Sequence, residues 1–426
     1  MRTLIAPLLG LLVLAVPAYG QRAGNVEERI PDLMTQAGIP GLSAALIEDG
    51  SVTWTGAFGV RDVGTGAAVT DETVFEAASL SKPVVAYLTL KLAARGTVDL
   101  DAPLWDDAGY ARLDHDQRAT QITARMVLSH TSGLPNWGGT PLTLNHDPGA
   151  AWNYSGEGFV FLAEMLERQT GRSLNDLITA DVFDPLGMDQ SSFVWRPDYE
   201  QNVAVPHDML GRVMEKNKPS DEVAAASLHT TASDYASFVQ AVLSGDGLPE
   251  DLAGEMLSEQ APVSGWGDSE TWSYLSWGLG WGRQAGDQAP AIWHWGDNGD
   301  FRSFVIAYPS TKTGFVYFTN SNNGLSIAES LIGDLFPDEH WSLRFLDYQR
   351  WDQPRRRARI GLQKSFYEDG GDASWQLLER VASEFPANVV QNETGRLVNF
   401  LRQEGKQELS DAIEAWSASR FPASDD

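Results

Sequence analysis

Ser79 and Lys82 place a hydroxyl and an amine three residues apart at the start of an apolar segment. A serine hydroxyl is a weak nucleophile until a base takes its proton, and residues at this spacing on a helix lie on one face. A lysine can be that base where burial, neighbouring cations or the positive end of a helix lower its pKa. N–H groups at the helix start can also stabilise an oxyanion beside Ser79. The pair therefore predicts acyl transfer through a serine nucleophile.

The segment that carries this pair has the pattern of a helix over residues 80–94. Its apolar residues recur at helical spacing, Gly96 follows as a stop signal, and Ser79 is predicted to cap the N-terminus. Pro83 falls in the first turn, where a missing N–H costs least. The same spacing also arises by chance, and the alternative is a capping Ser79 with a solvated Lys82.

Two further motifs supply groups that such a serine needs. Tyr154 precedes a predicted helix, and a phenol there can relay a proton between nucleophile and leaving group, provided that cations keep its pKa low. The motif His294-Trp-Gly-Asp297 precedes a predicted strand, where its glycine lets a substrate backbone approach and the following N–H can face an oxyanion. We therefore expect Trp295, Gly296 and Asp297 to bind the substrate or its oxyanion.

Composition argues against several other classes of protein. Cysteine is absent, which excludes disulfides and a thiol nucleophile, and a formal net charge of −27 argues against a nucleic-acid or anionic-membrane surface. No G-x-S-x-G elbow occurs, which argues against an α/β-hydrolase. Five histidines lack metal-ligand spacing and are interpreted as structural or solvent-facing: His115, His146, His207, His229 and His340. We expect no metal, no organic cofactor and no nucleic-acid partner.

Residues 1–20 have the pattern of a secretory signal peptide. An uncharged run follows Arg2, and small residues stand where a signal peptidase cleaves, before Gln21. An N-terminal membrane anchor is the alternative, but prolines interrupt the run and no charged stop follows it. No other stretch is long and apolar enough to span a bilayer. We expect a secreted or periplasmic protein with no stable membrane insertion after cleavage, while its oligomeric state stays open.

After the predicted signal peptide, the chain has strand-like segments at both ends of a mostly helical region. Residues 41–47 and 52–60 form a predicted β-hairpin, and residues 304–308 and 315–319 form a second one far downstream. Between the hairpins the pattern is mostly helical, with predicted helices at residues 123–128, 157–169, 174–183 and 232–243. This order of elements is typical of an α+β fold.

The simplest architecture places one domain at residues 21–345. It joins residues 40–75 and 275–325 in one antiparallel sheet flanked by helices, and it inserts a large helical part over residues 80–270. An active site then lies in the seam between sheet and helices. The tryptophan-rich segment at residues 261–302 either lines a pocket there or packs the sheet against the helices.

Residues 346–426 shift in composition to charged helices, which are predicted at residues 373–385, 395–405 and 407–420. The last two form an amphipathic pair, so this C-terminal helical module resembles one degenerate tetratricopeptide-type hairpin. We expect it to dock on its own protein rather than bind a partner.

In order along the chain, several motifs resemble those of the serine β-lactamase and penicillin-binding-protein superfamily. The resemblance is to its class C β-lactamase-like branch of esterases, D-amino-peptidases and β-lactamases, and it covers roughly residues 25–345. It implies a β-lactamase/transpeptidase-like fold. The motifs lie at residues 75–82, 128–135, 152–156, 185–188, 229–234, 277–281 and 294–296.

The resemblance implies a role for each candidate residue. Ser79 would be the acylated nucleophile, Lys82 its base partner and Tyr154 the general acid or base. His294, in place of the usual lysine of the K-T-G triplet, would orient Tyr154 or the substrate. The backbone N–H groups of Ser79 and Asp297 would form the oxyanion hole, and water would release the acyl group.

Two departures from the family pattern bear on the substrate. Gly156 replaces the asparagine of the Tyr-x-Asn pattern, and His294 replaces a permanent cation with a group charged only at mildly acid pH. Both departures weaken recognition of an acidic β-lactam. Arg302 could supply a carboxylate-binding cation in place of the missing one, and the alternative is that it is a surface arginine. We therefore expect hydrolysis of a small-molecule or peptide ester or amide. The alternatives are a β-lactamase or D,D-carboxypeptidase acting on β-lactams or peptidoglycan peptides, and an inactive binding protein on the same scaffold.

Overall fold

The computed structural model describes residues 19–265, 268–287 and 289–421. The predicted signal peptide lies outside these residues except for its last two positions, and Trp266 of the tryptophan-rich segment also lies outside them. Among the described helices, none combines the length and the apolar character that a bilayer crossing requires.

The strands of the described residues form two antiparallel sheets. They are β1 (Gly41–Glu48), β2 (Ser51–Asp62), β3 (Ala67–Ala68), β4 (Phe75–Glu76), β5 (His229–Thr230), β6 (Ala261–Pro262), β7 (Leu275–Trp277), β8 (Gly282–Gln284), β9 (Ala291–Asp297), β10 (Arg302–Tyr308) and β11 (Thr313–Thr319). The large sheet has the order β3-β2-β1-β11-β10-β9-β8-β7-β6, and β4 pairs with β5. Because β1 pairs with both β2 and β11, the prediction that the two hairpins share one sheet is confirmed.

Helices cover both faces of the large sheet. They are α1 (Tyr19–Ala37), α2 (Ser81–Ala94), α3 (Ala124–Leu128), α4 (Gly156–Thr170), α5 (Leu174–Ile178), α6 (Asp184–Leu186), α7 (Ala232–Ser244), α8 (Glu250–Leu257), α9 (Ser269–Trp272), α10 (Ala328–Leu335), α11 (Trp341–Leu346), α12 (Pro354–Glu368), α13 (Asp372–Glu384), α14 (Ala387–Gln403) and α15 (Gln407–Arg420). On β1, Ala45 and Ile47 join an apolar core with α2 and α7, whereas Leu42 and Leu46 join a second core with α1 and α10. Successive side chains of a strand point to opposite faces, so a strand covered on both sides is apolar throughout.

The start of α2 differs from the prediction that Ser79 caps it. Residues Ala78–Leu80 form a separate 3-10 turn, and α2 begins at Ser81 with Leu80 as its N-cap residue. The Ser79 hydroxyl is instead directed at Lys82, because the two side chains are in contact. The predicted helix 174–183 also differs, since its second half is a π-helical stretch after α5.

The C-terminal helices α12 to α15 pack around an apolar core of their own. α14 begins earlier than predicted, and α12 has no counterpart among the predicted helices. The module contacts the rest of the chain through a bidentate ion pair between Arg212 and Glu404, at 2.7 and 2.9 Å, and through a hydrogen bond from Arg356 to Asn323. Its core contains Leu362, Phe366, Leu378, Leu397, Leu401 and Ile413.

Candidate active site

Ser79 lies on a sharp turn between β4 and α2. The preceding Ala78 has a left-handed φ of 50°, a conformation that residues with a Cβ adopt only at a cost. The Ala77 N–H donates to Leu228 O at 2.8 Å and holds the turn from one side. The Ser81 hydroxyl donates to Ala78 O at 2.6 Å and holds it from the other. Ser79 is partly exposed while its neighbours are buried, so a fixed backbone presents this one hydroxyl.

The Lys82 amine lies against the Ser79 hydroxyl inside the protein. Its Nζ is 2.9 Å from Ser79 Oγ and 3.0 Å from Ala225 O, and the side chain is fully buried. Burial disfavours the charged amine and lowers the pKa of Lys82 to about 7. The alternative of a solvated Lys82 is therefore wrong. Near neutral pH, part of the amine is unprotonated and can accept the Ser79 proton.

Tyr154 is buried beside Lys82, just before α4. The Lys82 Nζ lies 4.8 Å from the centre of the Tyr154 ring. Burial raises the pKa of Tyr154 above its ordinary value, and a hydrogen bond with Ser79 offsets only part of that rise. The condition set for proton relay, that cations keep this pKa low, is therefore not met. A phenol that stays protonated at neutral pH is suited to donate a proton rather than to act as a standing base.

His294 and Trp295, on β9, pack beside Tyr154. Their ring centres lie 6.1 and 4.7 Å from that of Tyr154. His294 Nδ1 is 2.9 Å from Trp295 O, an arrangement in which Nδ1–H donates to the carbonyl. Burial, together with the charge of Lys82, lowers the pKa of His294 to about 3. The expectation of a charged His294 at mildly acid pH is therefore wrong, because the imidazole stays neutral there.

The end of β9 lies against the turn that carries Ser79. A Cβ on Gly296 would stand 2.3 Å from Ala77 O and 2.2 Å from Ser303 Oγ, so only glycine fits. This close approach places Asp297, the last residue of β9, near the nucleophile. The backbone N–H groups of Ser79 and Asp297 stay the predicted donors of the oxyanion hole.

His130 is a site residue that the sequence analysis did not single out. It has a left-handed φ of 57° and is fully buried, with its ring centre 4.5 Å from that of Tyr154. Its Nδ1 accepts the N–H of Ser155 at 3.0 Å, which fixes the proton on Nε2. Burial and the charge of Lys82 hold the pKa of His130 well below its ordinary value. His130 lies within the motif at residues 128–135, which the sequence analysis used only for the family resemblance.

The space beside Gly156 is filled by a loop. A Cβ on Gly156 would stand 2.7 Å from Asn136 O and 3.2 Å from Trp137 Cη2. The Gly156 N–H donates to Asn136 O at 3.1 Å, so the loop is bonded to the start of α4. An asparagine side chain at this position is therefore excluded, and the Trp137 ring, 54% exposed, lies nearby.

A second buried lysine lies close to the same turn. Lys216 forms an ion pair with Glu76 of β4, and its Nζ is 2.8 Å from His229 Nε2. Asn298 donates to the other Glu76 oxygen at 3.0 Å. Burial and the charge of Lys216 lower the pKa of His229 to about 4, and the side chain is buried rather than solvent-facing. The sequence analysis missed Lys216 because it lies in a loop without a regular pattern.

The tryptophan-rich segment packs the core at most of its described positions. Trp277, Trp281 and Trp293 are fully buried, whereas Trp295 borders Tyr154. Within the described ranges, no group of three or more His, Asp or Glu side chains is placed to hold a metal ion.

A sheet with helices on both faces and a Ser–Lys–Tyr group beside its strand β9 resembles the serine β-lactamases and penicillin-binding proteins. The chain belongs to this family, because the model described as Beta-lactamase matches residues 26–332. The resemblance drawn from the motifs is confirmed, and the chain is a serine hydrolase.

Similar curated proteins include penicillin-binding proteins and an esterase. Penicillin-binding protein 4 from Amycolatopsis lactamdurans is 28% identical over 344 residues, which cover 73% of this chain and 87% of that protein. Esterase EstB from Burkholderia gladioli is 28% identical over 327 residues, which cover 61% of this chain and 81% of that protein. Protein flp from Staphylococcus aureus is 22% identical over 321 residues, 70% of this chain but only 63% of that protein.

Two solved structures share the architecture. The octameric penicillin-binding protein homologue from Pyrococcus abyssi has a TM-score of 0.63 and 21% identity, and covers 80% of this chain and 81% of that chain. SurE has a TM-score of 0.64 and 23% identity, and covers 78% of this chain and 79% of that chain. The predicted β-lactamase/transpeptidase-like fold is therefore confirmed.

Proposed function

We propose that the protein hydrolyses an ester or amide bond through an acyl-enzyme on Ser79. The 2.9 Å contact between Ser79 Oγ and Lys82 Nζ inside the protein carries this proposal. With its pKa lowered to about 7, the amine is a base that works near neutral pH. Lys82 takes the hydroxyl proton as Ser79 Oγ bonds to the carbonyl carbon of the substrate.

The later steps use the neighbouring groups. The carbonyl oxygen becomes an oxyanion, for which the N–H groups of Ser79 and Asp297 are the proposed donors. As the intermediate collapses, the leaving group takes a proton from the Tyr154 phenol, which recovers one from the Lys82 ammonium. Water then attacks the acyl carbon while Lys82 takes its proton, and Ser79 Oγ leaves with that proton. The acid is released and all groups return to their starting state.

A small-molecule or peptide ester or amide is the favoured substrate. His294 is uncharged, because its pKa is lowered to about 3, and a loop occupies the space beside Gly156. The site thus lacks the cation and the amide that the resemblance associates with β-lactams, and the similarity to an esterase supports this preference. The similarity to Penicillin-binding protein 4 supports the second candidate, a β-lactamase or D,D-carboxypeptidase.

We also propose that the mature protein works in the periplasm or outside the cell. The sequence pattern of residues 1–20 supports this location. N-terminal sequencing of protein recovered from cells is expected to begin at Gln21, and an intact N-terminus would contradict the proposal.

The substrate preference is tested with a series of p-nitrophenyl esters and a chromogenic cephalosporin. Turnover of the esters, little cleavage of the cephalosporin and loss of both in Ser79→Ala are expected. Ser237→Ala is the matched control, because the Ser237 hydroxyl donates to Ser233 O within α7. Rapid cephalosporin cleavage would instead favour the second candidate.

The alternative of an inactive binding protein has its own test. A fluorophosphonate probe is expected to label folded wild-type protein at Ser79 and to leave Ser79→Ala unlabelled. Folded wild-type protein without a Ser79 adduct would favour the binding protein.

A further inference from the structure

Tyr348 lies in the short segment between α11 and α12, and its side chain reaches the end of β9. Its hydroxyl donates to Asp297 Oδ2 at 2.5 Å. The other oxygen of this carboxylate accepts the Gly299 N–H at 2.8 Å and lies 3.3 Å from Arg302 Nε. Donors therefore hold both oxygens of the residue whose N–H is the proposed second donor of the oxyanion hole.

The segment that carries Tyr348 is fixed at several points. α11 ends at Leu346, and the capping residue after it, Asp347, has a left-handed φ of 49°. The Trp351 N–H donates to Ser326 O at 3.1 Å. The Arg302 guanidinium lies 5.0 Å from the centre of the Tyr348 ring. Tyr348 is thus held between β10 and the start of the C-terminal helices rather than extended into solvent.

Tyr348 also lies close to the catalytic aromatic groups. Its hydroxyl interacts with the Trp295 side chain, and its electrostatic effect contributes to the raised pKa of Tyr154. Trp295 in turn packs against Tyr154, with 4.7 Å between ring centres. A residue outside the predicted domain at 21–345 therefore borders the candidate active site.

The Asp297 carboxylate needs such donors because of its charge. A free carboxylate beside a developing oxyanion would repel it, and this repulsion is strong where water is excluded. Hydrogen bonds from Tyr348 and Gly299 spread that charge and keep the side chain in one orientation. Their effect is greatest in the transition state, where the substrate oxygen becomes negative.

We propose that Tyr348 is a positioning residue of the oxyanion hole, which acts by holding the Asp297 side chain. The inference rests on the proposed acyl-enzyme function and adds a residue to it. Tyr348 does not itself exchange protons with the substrate. Its removal should therefore weaken transition-state stabilisation and leave substrate binding nearly unchanged.

The test compares Tyr348→Phe with Tyr308→Phe in the full-length chain. Tyr308 lies at the opposite end of β10, and its buried hydroxyl has no hydrogen-bond partner among the described residues. In Tyr348→Phe, kcat for a p-nitrophenyl ester is expected to fall about tenfold, with KM changed less than about twofold. The inhibition constant of phenylboronic acid, which adds to Ser79 as a tetrahedral adduct, is expected to rise by the same factor. Tyr308→Phe should match wild type in all three.

Asp297→Asn shows whether Tyr348 acts through Asp297. Adding Tyr348→Phe to Asp297→Asn is expected to change kcat less than adding it to wild type, because the two residues share one interaction. Wild-type kcat and boronate inhibition in Tyr348→Phe, or a change in KM alone, would overturn the inference while ester turnover and Ser79 labelling uphold the proposed function. If wild-type protein is neither labelled nor active, the proposed function fails and the inference falls with it.

Discussion

Lys82 and Lys216 are two buried lysines near the same turn, and they differ in what surrounds the amine. Lys82 contacts a hydroxyl and a carbonyl oxygen, whereas Lys216 is paired with the carboxylate of Glu76. Burial lowers the pKa of both, but for Lys216 the Glu76 charge acts in the opposite direction. A buried amine without a carboxylate partner has a lowered pKa and can act as a base. A buried amine paired with a carboxylate is held as a structural cation.

Replacing Lys82 should have the largest effect on activity. Lys82→Met keeps the length of the side chain and removes the amine, so kcat/KM for the ester is expected to fall about 10³-fold. Folding should be retained, because no buried carboxylate loses its partner. Steady-state kinetics and thermal melting check both parts.

Lys91→Met is the matched control for this change. Lys91 is another mostly buried lysine on α2, and its Nζ lies 5.3 Å from the Tyr87 ring centre. Its replacement is expected to leave turnover close to wild type. Equal losses in the two variants would mean that any buried charge on α2 matters, which would break the comparison.

Replacing Lys216 should act mainly on stability. Lys216→Met leaves the Glu76 carboxylate buried without its ion pair, with side-chain exposures of 8% and 7% in the wild-type pair. The free energy of unfolding is expected to fall by about 3 kcal/mol in urea denaturation, while kcat of the folded protein changes little.

The double variant Glu76→Gln with Lys216→Met controls for the loss of the lysine itself. It should recover part of the lost stability, because no charge is then left unpaired. A Lys216→Met variant with wild-type stability but no turnover would give Lys216 a catalytic role.

The pH dependence of kcat/KM should also distinguish Lys82 from Lys216, and here the expected effects are the smallest. Lys82 acts as the unprotonated amine and its pKa is lowered from 10.5 to about 7, so kcat/KM should rise with pH through about 7 and then level off. Lys216→Met should keep this midpoint. His294→Asn should keep it as well, because His294, with a pKa of about 3, is neutral throughout the range.

The same pKa shift predicts the sign of a stability change. Between pH 7 and 10.5, unfolded chains bind a proton at Lys82 that the folded protein has released, so the stability of wild type relative to Lys82→Met should rise with pH. Denaturation at several pH values measures this difference. If the midpoint of the kcat/KM profile moves in His294→Asn, the titrating group is the His294 imidazole and not Lys82.

The parts of the site that could be predicted are local in sequence. Ser79 and Lys82 meet because they lie within one turn of the chain, where backbone geometry sets the distance between them. The strands of the two hairpins could also be predicted, since alternation and turn residues are encoded within each hairpin. Tyr154 and His294 were predicted as site residues from sequence motifs, and the structure places both rings near Lys82. Their chemical roles stay predictions.

The parts that could not be predicted depend on distant elements. The pKa values of Tyr154 and His294 follow from how completely other elements bury them, which no short motif records. Tyr348 reaches the site from a loop beyond the expected domain boundary. The left-handed Ala78 belongs to the 3-10 turn that precedes α2. This turn depends on hydrogen bonds to Leu228 and from Ser81 on either side of it.

The pairing of β1 with β11 has a consequence for how the molecule is made. Leu42 lies opposite Thr319, so one side of β1 has no partner until almost the whole sheet has been synthesised. An apolar strand with an open edge is a site for association between unfinished chains, and such long-range pairing forms slowly. The hydrolase thus completes its sheet late. Until then, the open edge of β1 in one unfinished chain can pair with that of another.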